Sequence, residues 1–324
     1  MEINYPPYTI TDKILNLSTQ IMKKIGEANY FKSIDKYPEL RRKSRIKSIH
    51  SSLAIENNQL SLFQVEDVID GKPVIGEQKD IQEVKNAYKA YEEIEKINPY
   101  SEKDLKKIHE IMTFIIEKDA GKYRNHGEAV YDGDVQIFMA PPHTMVPALM
   151  SNLFAWMNDV KDKVNPLILS SVFHYEFVFI HPFSDGNGRT ARIWQTAILS
   201  HWEKSFRYLP IESMIKQYQE DYYKVIQNCN NVGNSTEFIE FMLEIINGAI
   251  DNMVLTTTQE TTQETTQEKI LNLIRKNPSI TQTQMAKALG ITRDGISYNI
   301  KQLKEKGIIE RIGATKNGTW KIKE

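Results

Sequence analysis

Residues 257–268 repeat the tetrapeptide Thr-Thr-Gln-Glu three times and contain no apolar side chain. A segment of this kind cannot offset its ordering entropy by burial, so it cannot belong to a hydrophobic core. The 324-residue chain is therefore expected to fold as separate units on either side of the repeat. We interpret residues 251–267 as a polar linker, and the alternative is a solvated helical extension that joins the two units.

The charges differ between the two sides of the repeat. Residues 268–324 hold 12 Lys/Arg and 5 Asp/Glu, a net charge of +7, so the other residues carry −8 of the overall −1. This asymmetry indicates two separate roles within one chain. The near-neutral total excludes a wholly basic nucleic-acid coat protein and an acidic tail protein.

The remaining composition is that of an ordinary soluble globular protein, with 40% apolar and 26% charged residues. The single cysteine, Cys229, excludes a disulfide framework and a multi-cysteine zinc site. The sequence has no run of 18 apolar residues and no secretory signal pattern, so we expect no membrane span and a cytoplasmic protein.

Before the repeat, apolar residues recur mostly at helical spacing, as in Leu105, Ile108 and Met112. The exception is the glycine- and proline-rich region 123–147, where the short apolar runs 129–131 and 135–138 flank Asp132-Gly133-Asp134. That pattern predicts a β-hairpin. The first part of the chain is therefore expected to be mainly α with one hairpin.

Residues 268–324 are predicted to form three helices and a hairpin, with Thr292 as the N-cap of the third helix. This unit resembles a winged helix-turn-helix. The resemblance implies DNA contacts from the third helix and the wing, through Arg293, Ser297, Tyr298, Asn299, Lys301, Lys316 and Lys321. Because a fold does not fix its function, a protein-interaction module is the alternative.

The segment His181 to Arg192 reads HPFSDGNGRTAR and contains the main candidate catalytic and binding residues. Pro182 ends a preceding apolar helix, and a glycine-containing loop then opens a second helix near Asn187. A helix N-terminus with arginines three residues apart suits a polyphosphate. Asp185 offers a hard oxygen ligand for Mg²⁺, and His181 is a general-base candidate. These groups are the components needed for nucleotidyl transfer to a hydroxyl.

The same segment matches HPFx(D/E)GN(G/K)RxxR, the active-site motif of the Fic family, at every defined position, and the resemblance extends over about residues 40–240. It implies a protein adenylyltransferase that moves AMP from Mg²⁺-bound ATP to a Ser, Thr or Tyr hydroxyl. His181 would be the base and Asp185 the metal ligand. The implied phosphate-binding residues are Gly186, Asn187, Gly188, Arg189 for the β-phosphate and Arg192 for the γ-phosphate.

The resemblance also implies a fold, a helical bundle in which the hairpin is a flap. The flap would pair with a target segment by strand addition, along Gln136, Ile137, Phe138 and Met139. Tyr222, Tyr223 and Asn230 match positions that line the nucleotide pocket in related proteins, although a pair of tyrosines on a helix also packs into cores. The implied divisions are residues 1–100, an N-terminal helical region, and 101–250, the catalytic domain.

Ser52 to Asn57 reads SLAIEN and matches the inhibitory motif (S/T)xxxE(G/N) of the same family. Ile46, Ile49, Leu53 and Glu56 fall on one helical face, so the carboxylate points inward and needs a partner. The resemblance supplies Arg192 as that partner, with Ser52 and Asn57 in the motif. It implies an inhibitory helix over about residues 42–57 that places ATP in a non-productive pose.

Two hypotheses follow. The first is an autoinhibited adenylyltransferase, with reverse removal of AMP as an additional activity, acting on itself or on an unidentified target protein. The second is a DNA-binding transcriptional regulator in which the Fic domain is a sensing or dimerising body. Relatives often form dimers and winged helices commonly bind two half-sites, so we expect a homodimer.

Overall fold

The computed structural model describes residues 3–27, 38–132, 135–313 and 318–323, and it describes only the backbone of 130–132, 135–137 and 254–265. The chain forms two compact units, Met1–Asp251 and Asn252–Glu324. In the described ranges no helix has both the length and the apolar character that a membrane crossing requires.

The first unit is mainly helical, as predicted. Its helices are α1 (Asp12–Glu27), α2 (Pro38–Ile55), α3 (Leu62–Ile69), α4 (Gln78–Glu93), α5 (Glu102–Met112), α6 (Val146–Val160), α7 (Pro166–Ile180), α8 (Asn187–Trp202), α9 (Ile211–Gln217), α10 (Gln219–Val232) and α11, which begins at Thr236. Short 3₁₀ helices cover His143–Met145 and Lys204–Tyr208. The expected inhibitory helix is α2.

The hairpin consists of β1 (Ala129–Asp132) and β2 (Val135–Met139), paired antiparallel with Ala129 opposite Met139 and a register shift between Val130 and Tyr131. Its predicted turn at 133–134 lies outside the described residues. Within the described part of the chain β2 pairs with β1 alone, so its other edge has no neighbouring strand.

Helices α7 and α8 form the centre of the first unit. Both are buried around most of their circumference, which explains why α7 is apolar on nearly every face rather than on one stripe. Phe173 and Phe177 of α7 pack with Trp194 of α8 in an aromatic cluster in which all three side chains are fully buried. The loop that joins these two helices is therefore supported by the rigid core of the unit.

Helix α11 continues to Lys276, so the backbone of the Thr-Thr-Gln-Glu repeat is helical. The second unit also contains α12 (Gln282–Leu289), α13 (Arg293–Glu305), β3 (Ile309–Ile312) and β4 (Thr319–Ile322). Thr292 caps α13 as predicted, because its side chain accepts a hydrogen bond from the Gly295 N–H at 3.1 Å. The winged helix-turn-helix prediction is confirmed.

One core holds the second unit together. It contains isoleucines of α11 and α13, Met285 of α12, and Trp320 of the wing, whose indole N–H donates to the Ile280 carbonyl at 2.9 Å. The two wing strands pair antiparallel, with Glu310 opposite Lys321 and Arg311 opposite Trp320. Packing of the wing tryptophan against the helices fixes the hairpin to the helical part of this unit.

Candidate active site

The loop between α7 and α8 begins with a left-handed residue. Helix α7 ends at Ile180, and His181 has φ 51° and ψ 59°. A non-glycine residue in this region is uncommon and carries strain, so the surrounding contacts must hold it there. Burial of the imidazole lowers the pKa of His181 from its usual value. The Val178 backbone and Glu128 raise this pKa and Arg124 lowers it, but burial is the largest effect. The ring is therefore neutral near pH 7 and can accept a proton.

Arg124 is buried and supplies the contacts that fix this helix end. Its guanidinium donates to the carbonyls of His181 (2.7 Å), Ile180 (3.3 Å), His126 (2.8 Å) and Pro141 (2.6 Å). The backbone N–H of Arg124 donates to the Pro182 carbonyl at 2.9 Å. A cation at a helix C-terminus is favourable because the last carbonyls carry partial negative charge. One arginine thus fixes the catalytic-histidine candidate and both ends of the flap.

The loop interior is closed by Phe183 and Asn187. Phe183 is fully buried, and the Asn187 side chain bonds both its N–H (2.9 Å) and its carbonyl (2.7 Å). The side chain of Asn187 therefore holds the loop closed, which leaves the backbone N–H groups of the first turn of α8 as the anion-binding candidates. Gly186 has φ 77°, a conformation that favours glycine.

His109 of α5 supports the loop from below. Its ring stacks on Phe183 with a centroid distance of 3.5 Å, Nδ1 accepts the Gly121 N–H at 2.9 Å, and Nε2 lies 2.9 Å from the Asp185 carbonyl. Because Nδ1 accepts a hydrogen bond, the proton is on Nε2 and is donated to Asp185. Burial lowers the pKa of His109 to about 4, so this histidine is a neutral structural group.

Asp185 and Arg189, the predicted metal ligand and β-phosphate residue, form an ion pair with Nη2–Oδ2 at 2.9 Å. The Asp185 side chain is 42% exposed, whereas that of Arg189 is 3% exposed and also pairs with Glu83 of α4 at 3.1 Å. Burial raises the pKa of Asp185, but Arg189 and the Gly186 N–H outweigh it, so the net shift is downward. Asp185 is thus an ionised, accessible carboxylate.

The structure brings two of the predicted inhibitory residues, Ser52 and Glu56, to Arg192. The Arg192 guanidinium donates to Glu56 Oε1 at 2.8 Å, to Ser52 Oγ at 3.0 Å and to the Ser52 carbonyl at 2.9 Å. Asn57 follows with φ 66° and ends the helical path. Burial lowers the pKa of Arg192, but Glu56 and nearby tyrosines raise it by more. The net shift is upward, so the guanidinium stays charged.

Gly188 leaves the space in which this salt bridge forms. A Cβ built on Gly188 would collide with Glu56 Oε1 and lie 3.0 Å from Arg192 Nη1. Glu56 therefore occupies the surface of the helix N-terminus itself, directly over the backbone that the sequence assigns to phosphate. The Glu56 side chain is 37% exposed, so it forms the outer wall of this site.

The candidates for the nucleotide pocket differ in their surroundings. Tyr222 is 2% exposed, and its hydroxyl lies 2.9 Å from His174 Nε2, so it packs in the core rather than facing solvent. Tyr223 is 46% exposed. Asn230 is half-buried and accepts a hydrogen bond from the Tyr175 hydroxyl at 3.0 Å. Of the three, Tyr223 and Asn230 are accessible.

The flap candidates are described in part. Phe138 packs against Phe179 of α7 with a centroid distance of 5.6 Å, and Met139 is 66% exposed. The side chains of Gln136 and Ile137 lie outside the described residues, although both are in β2. The Phe138 contact connects the flap to the helix that carries His181.

The DNA-contact candidates also divide. Side chains on the outer face of α13 and the wing are exposed: Arg293, Ser297, Tyr298, Lys301 and Lys321. Asn299 departs from the prediction, because it is 7% exposed and its amide donates to the Gly295 carbonyl at 2.8 Å. It lies on the same buried face as Ile296 and Ile300. Lys316 lies outside the described residues.

Sequence reasoning missed Arg124, His109 and Glu83. Each contacts the loop across a long stretch of chain, so no local spacing indicates the contact. Glu83 gave the clearest available signal, because it falls among Val84, Ala87 and Ala90 on the buried face of α4. An unexplained carboxylate on an apolar face requires a partner.

A solved structure of a Fic family protein from Desulfovibrio desulfuricans G20 is similar over almost the entire chain. The identity is 38%, the match covers 99% of this chain and 98% of that one, and the TM-score is 0.77. The chain belongs to the Fic family. The Fic/DOC family model matches residues 99–199, and a winged helix-turn-helix DNA-binding model matches residues 263–310.

Curated relatives of this Fic chain carry the name protein adenylyltransferase Fic. One from Culex quinquefasciatus is 27% identical over 77% of this chain and 47% of its own length. Another from Nematostella vectensis is 27% identical over 65% of this chain and 49% of its own length. The chain thus spans about half the length of these relatives. A Fic domain structure from Bacteroides thetaiotaomicron, 21% identical over 75% of this chain and 96% of that one, has a TM-score of 0.60 and supports the fold.

Proposed function

We propose that this Fic chain transfers AMP from ATP to a hydroxyl of a Ser, Thr or Tyr residue, on a target protein or on itself. The observation that carries the proposal is the geometry of the loop. A neutral His181 stands at its entrance, an accessible carboxylate follows, and a helix N-terminus with buried Arg192 comes next. The names of the curated relatives support the same activity.

In this proposal His181 accepts the proton of the target hydroxyl, which then attacks the α-phosphorus while pyrophosphate leaves. The lowered pKa of His181 keeps the base unprotonated near neutral pH. The N–H groups of Gly188 and its neighbours in the first turn of α8 would bind phosphate oxygens. Arg192 would bind the γ-phosphate and hold pyrophosphate as it leaves.

Asp185 fits a Mg²⁺ site that is completed by substrate. In the described residues no group of three or more acidic, histidine or cysteine side chains could hold a metal ion by itself. Mg²⁺ in phosphoryl-transfer sites commonly binds one or two carboxylates plus substrate phosphates, and a single accessible Asp185 carboxylate suits that arrangement. When bound there, the ion would supply charge stabilisation for the phosphates.

Glu56 acts as the brake in this proposal. It bonds the arginine that the γ-phosphate needs, so ATP must displace the carboxylate or bind in a different pose. Ser52 holds the same arginine through its hydroxyl and carbonyl. Because the Glu56 side chain is partly exposed, the same carboxylate could also orient water for removal of AMP, and we include that reverse activity in the proposal.

The target segment would bind as a strand on the free edge of β2. In the described part of the chain this edge has no strand neighbour, and backbone hydrogen bonds can pair it with an extended peptide. The exposed Met139 lies on the same strand. Strand addition would bring the target hydroxyl across the loop toward His181.

The position of the transferred label tests the activity. Purified Glu56→Gly protein is incubated with Mg²⁺, cell lysate and either α- or γ-labelled ATP, and Glu56→Gly with His181→Ala serves as the matched control. We expect label that depends on His181, present with Glu56→Gly and absent with the control, from α-labelled ATP only; γ-label that lysate kinases transfer is the same in both samples. Transfer of γ-label that the His181→Ala substitution abolishes would indicate phosphate transfer instead. Absence of both labels, with ATP binding intact, would contradict AMP transfer from ATP.

A second candidate function is DNA binding by the winged helix, which would make the chain a transcriptional regulator with the Fic domain as a sensing or dimerising body. The favouring observation is the exposure of Arg293, Ser297, Tyr298 and Lys301 on the recognition helix, within residues 268–324, which carry a net charge of +7. Binding to duplex DNA should weaken steeply with salt, and Arg293→Ala should weaken it further. No binding at low salt would contradict this candidate. The homodimer and the cytoplasmic location stay predictions.

A further inference from the structure

Glu83 connects the turn after the inhibitory helix to the catalytic loop. It is 6% exposed on α4, and its two oxygens have different partners. Oε1 accepts from Arg189 Nη1 at 3.1 Å, and Oε2 accepts from Asn58 Nδ2 at 2.8 Å. Asn58 comes two residues after Glu56 and is also buried. A single carboxylate therefore contacts both the brake segment and an arginine of the active site.

Arg189 is shared between two carboxylates. Nη1 bonds Glu83, Nη2 bonds Asp185 at 2.9 Å, and Nε has no partner in the described part of the chain. A buried guanidinium takes its position from the few groups that bond it. A stronger bond between Arg189 and Glu83 should therefore weaken the bond between Arg189 and Asp185.

The turn at residues 57–59 determines how strongly Glu83 can bond Arg189. While Asn58 occupies Oε2, only Oε1 faces Arg189. If the turn leaves together with Glu56, both oxygens become available, and a fork-to-fork pair with Arg189 is the stronger geometry. Arg189 would then be neutralised mainly by Glu83 and would hold Asp185 less strongly, and the Asp185 carboxylate is the proposed ligand for the cation of ATP.

We propose that Glu83 is a positioning residue that couples the inhibitory segment to the metal-binding capacity of Asp185 through Asn58 and Arg189. The proposal rests on the proposed function for the roles of Asp185 and Glu56. In this arrangement the inhibitory segment restrains both arginines of the motif: Arg192 directly through Glu56, and Arg189 indirectly through Asn58 and Glu83. Displacement of the segment would free the γ-phosphate arginine and would at the same time weaken the hold of Arg189 on the metal ligand.

The test measures cation binding without requiring AMP transfer. Affinity of Mn²⁺, a paramagnetic substitute for Mg²⁺, is measured by water-proton relaxation in the presence of ATP, in the full chain carrying His181→Ala. Glu83→Gln removes the charge that draws Arg189 away from Asp185, so affinity should fall by about tenfold, the scale of an outer-shell partner. Asn58→Ala frees Oε2 and should raise the affinity.

Asp80→Asn is the matched control. The Asp80 carboxylate accepts the Gln59 N–H at 3.1 Å, so it docks the same turn on the same helix without touching Arg189. Asparagine keeps an acceptor oxygen for this bond, so the turn should stay docked and the Mn²⁺ affinity should equal that of the parent. Asp185→Asn should abolish the difference between the variants, because the ligand itself is lost.

Opposite shifts for Glu83→Gln and Asn58→Ala would support the coupling even if no AMP transfer were ever detected. Equal affinities in both, or shifts in the same direction, would overturn it even if transfer were demonstrated. Thermal unfolding of each variant checks that the fold persists. If Glu83→Gln fails to fold, a rise in affinity for Asn58→Ala supports the proposal and an unchanged or lower affinity overturns it.

Discussion

Replacing Glu56 by glycine removes the carboxylate that bonds Arg192 and leaves the arginine otherwise held. The Ser52 hydroxyl and carbonyl still accept from its guanidinium, so the side chain stays near its present position. The space over Gly188 becomes open, because Glu56 is the group nearest to that backbone. We therefore expect ATP to bind with its γ-phosphate on Arg192 and the AMP-transfer rate to rise.

The size of the rise follows from the interaction that is lost. Glu56 makes one charge-assisted hydrogen bond to Arg192, at 2.8 Å. Bonds of this kind contribute about 1.5–3 kcal/mol. Because the Glu56 side chain is 37% exposed, solvent screens the pair and the lower half of that range applies. At a factor of ten for each 1.36 kcal/mol, the rate should increase roughly 10- to 50-fold.

The assay is the initial rate of label transfer from α-labelled ATP at fixed Mg²⁺, for the parent, Glu56→Gln, Glu56→Gly and Glu56→Gly with Arg192→Ala. Glutamine keeps the shape and an acceptor oxygen but not the charge, so its rate should lie between those of the parent and the glycine variant. Loss of Arg192 should cancel the gain. Glu56→Gly no faster than the parent, with normal ATP binding, would refute the brake.

Three further predictions concern the loop and its support. Because burial lowers the pKa of His181, transfer by the Glu56-released enzyme should lose rate only below pH 6.5, and an acid limb above that value in the pH–rate profile would contradict this. His109 has a folded pKa of about 4 against about 6.5 unfolded, so the unfolded state binds the proton first as pH falls. The free energy of unfolding should then drop by up to about 1.4 kcal/mol per pH unit within that window, and urea titrations of parent and His109→Gln should show a smaller drop in the variant. Gly186→Ala places a Cβ 2.9 Å from Thr113 Cγ2 at φ 77° and should destabilise by about 1–3 kcal/mol, whereas Gly26→Ala, with no atom within 4 Å, should be neutral or stabilising in thermal unfolding.

The grouping of the motif residues in one loop could be predicted from the sequence because they are close together along the chain. The step from His181 to Arg192 covers a helix end, a loop and a helix start, and proline and glycine mark each boundary. Glu56 could be oriented because it follows three apolar residues on one helical face. Its partner Arg192 lies 136 residues away and came only from the family resemblance.

The residues that support the loop from other helices could not be predicted in the same way. His109 reaches Asp185 across 76 residues, and Arg189 reaches Glu83 across 106. Helical periodicity identifies which face of α5 or α4 is buried, but it contains no information on what lies against that face. Asn299 shows the converse error, because its place near the start of a recognition helix suggested exposure, while its helical phase placed it inward.

The buried Arg124 has a consequence for how a target would be selected. One guanidinium bonds the His181 carbonyl and the carbonyls of His126 and Pro141, which flank the hairpin. The strand edge and the candidate proton acceptor are therefore positioned by the same side chain. A peptide added to β2 one residue out of step would turn its hydroxyl to the opposite face of the strand. Slippage therefore moves the hydroxyl out of reach rather than slightly off centre. Under the proposed function, selection of the modified residue would depend on strand register: target residues on one face of the added strand would be modified, and those on the other face would not.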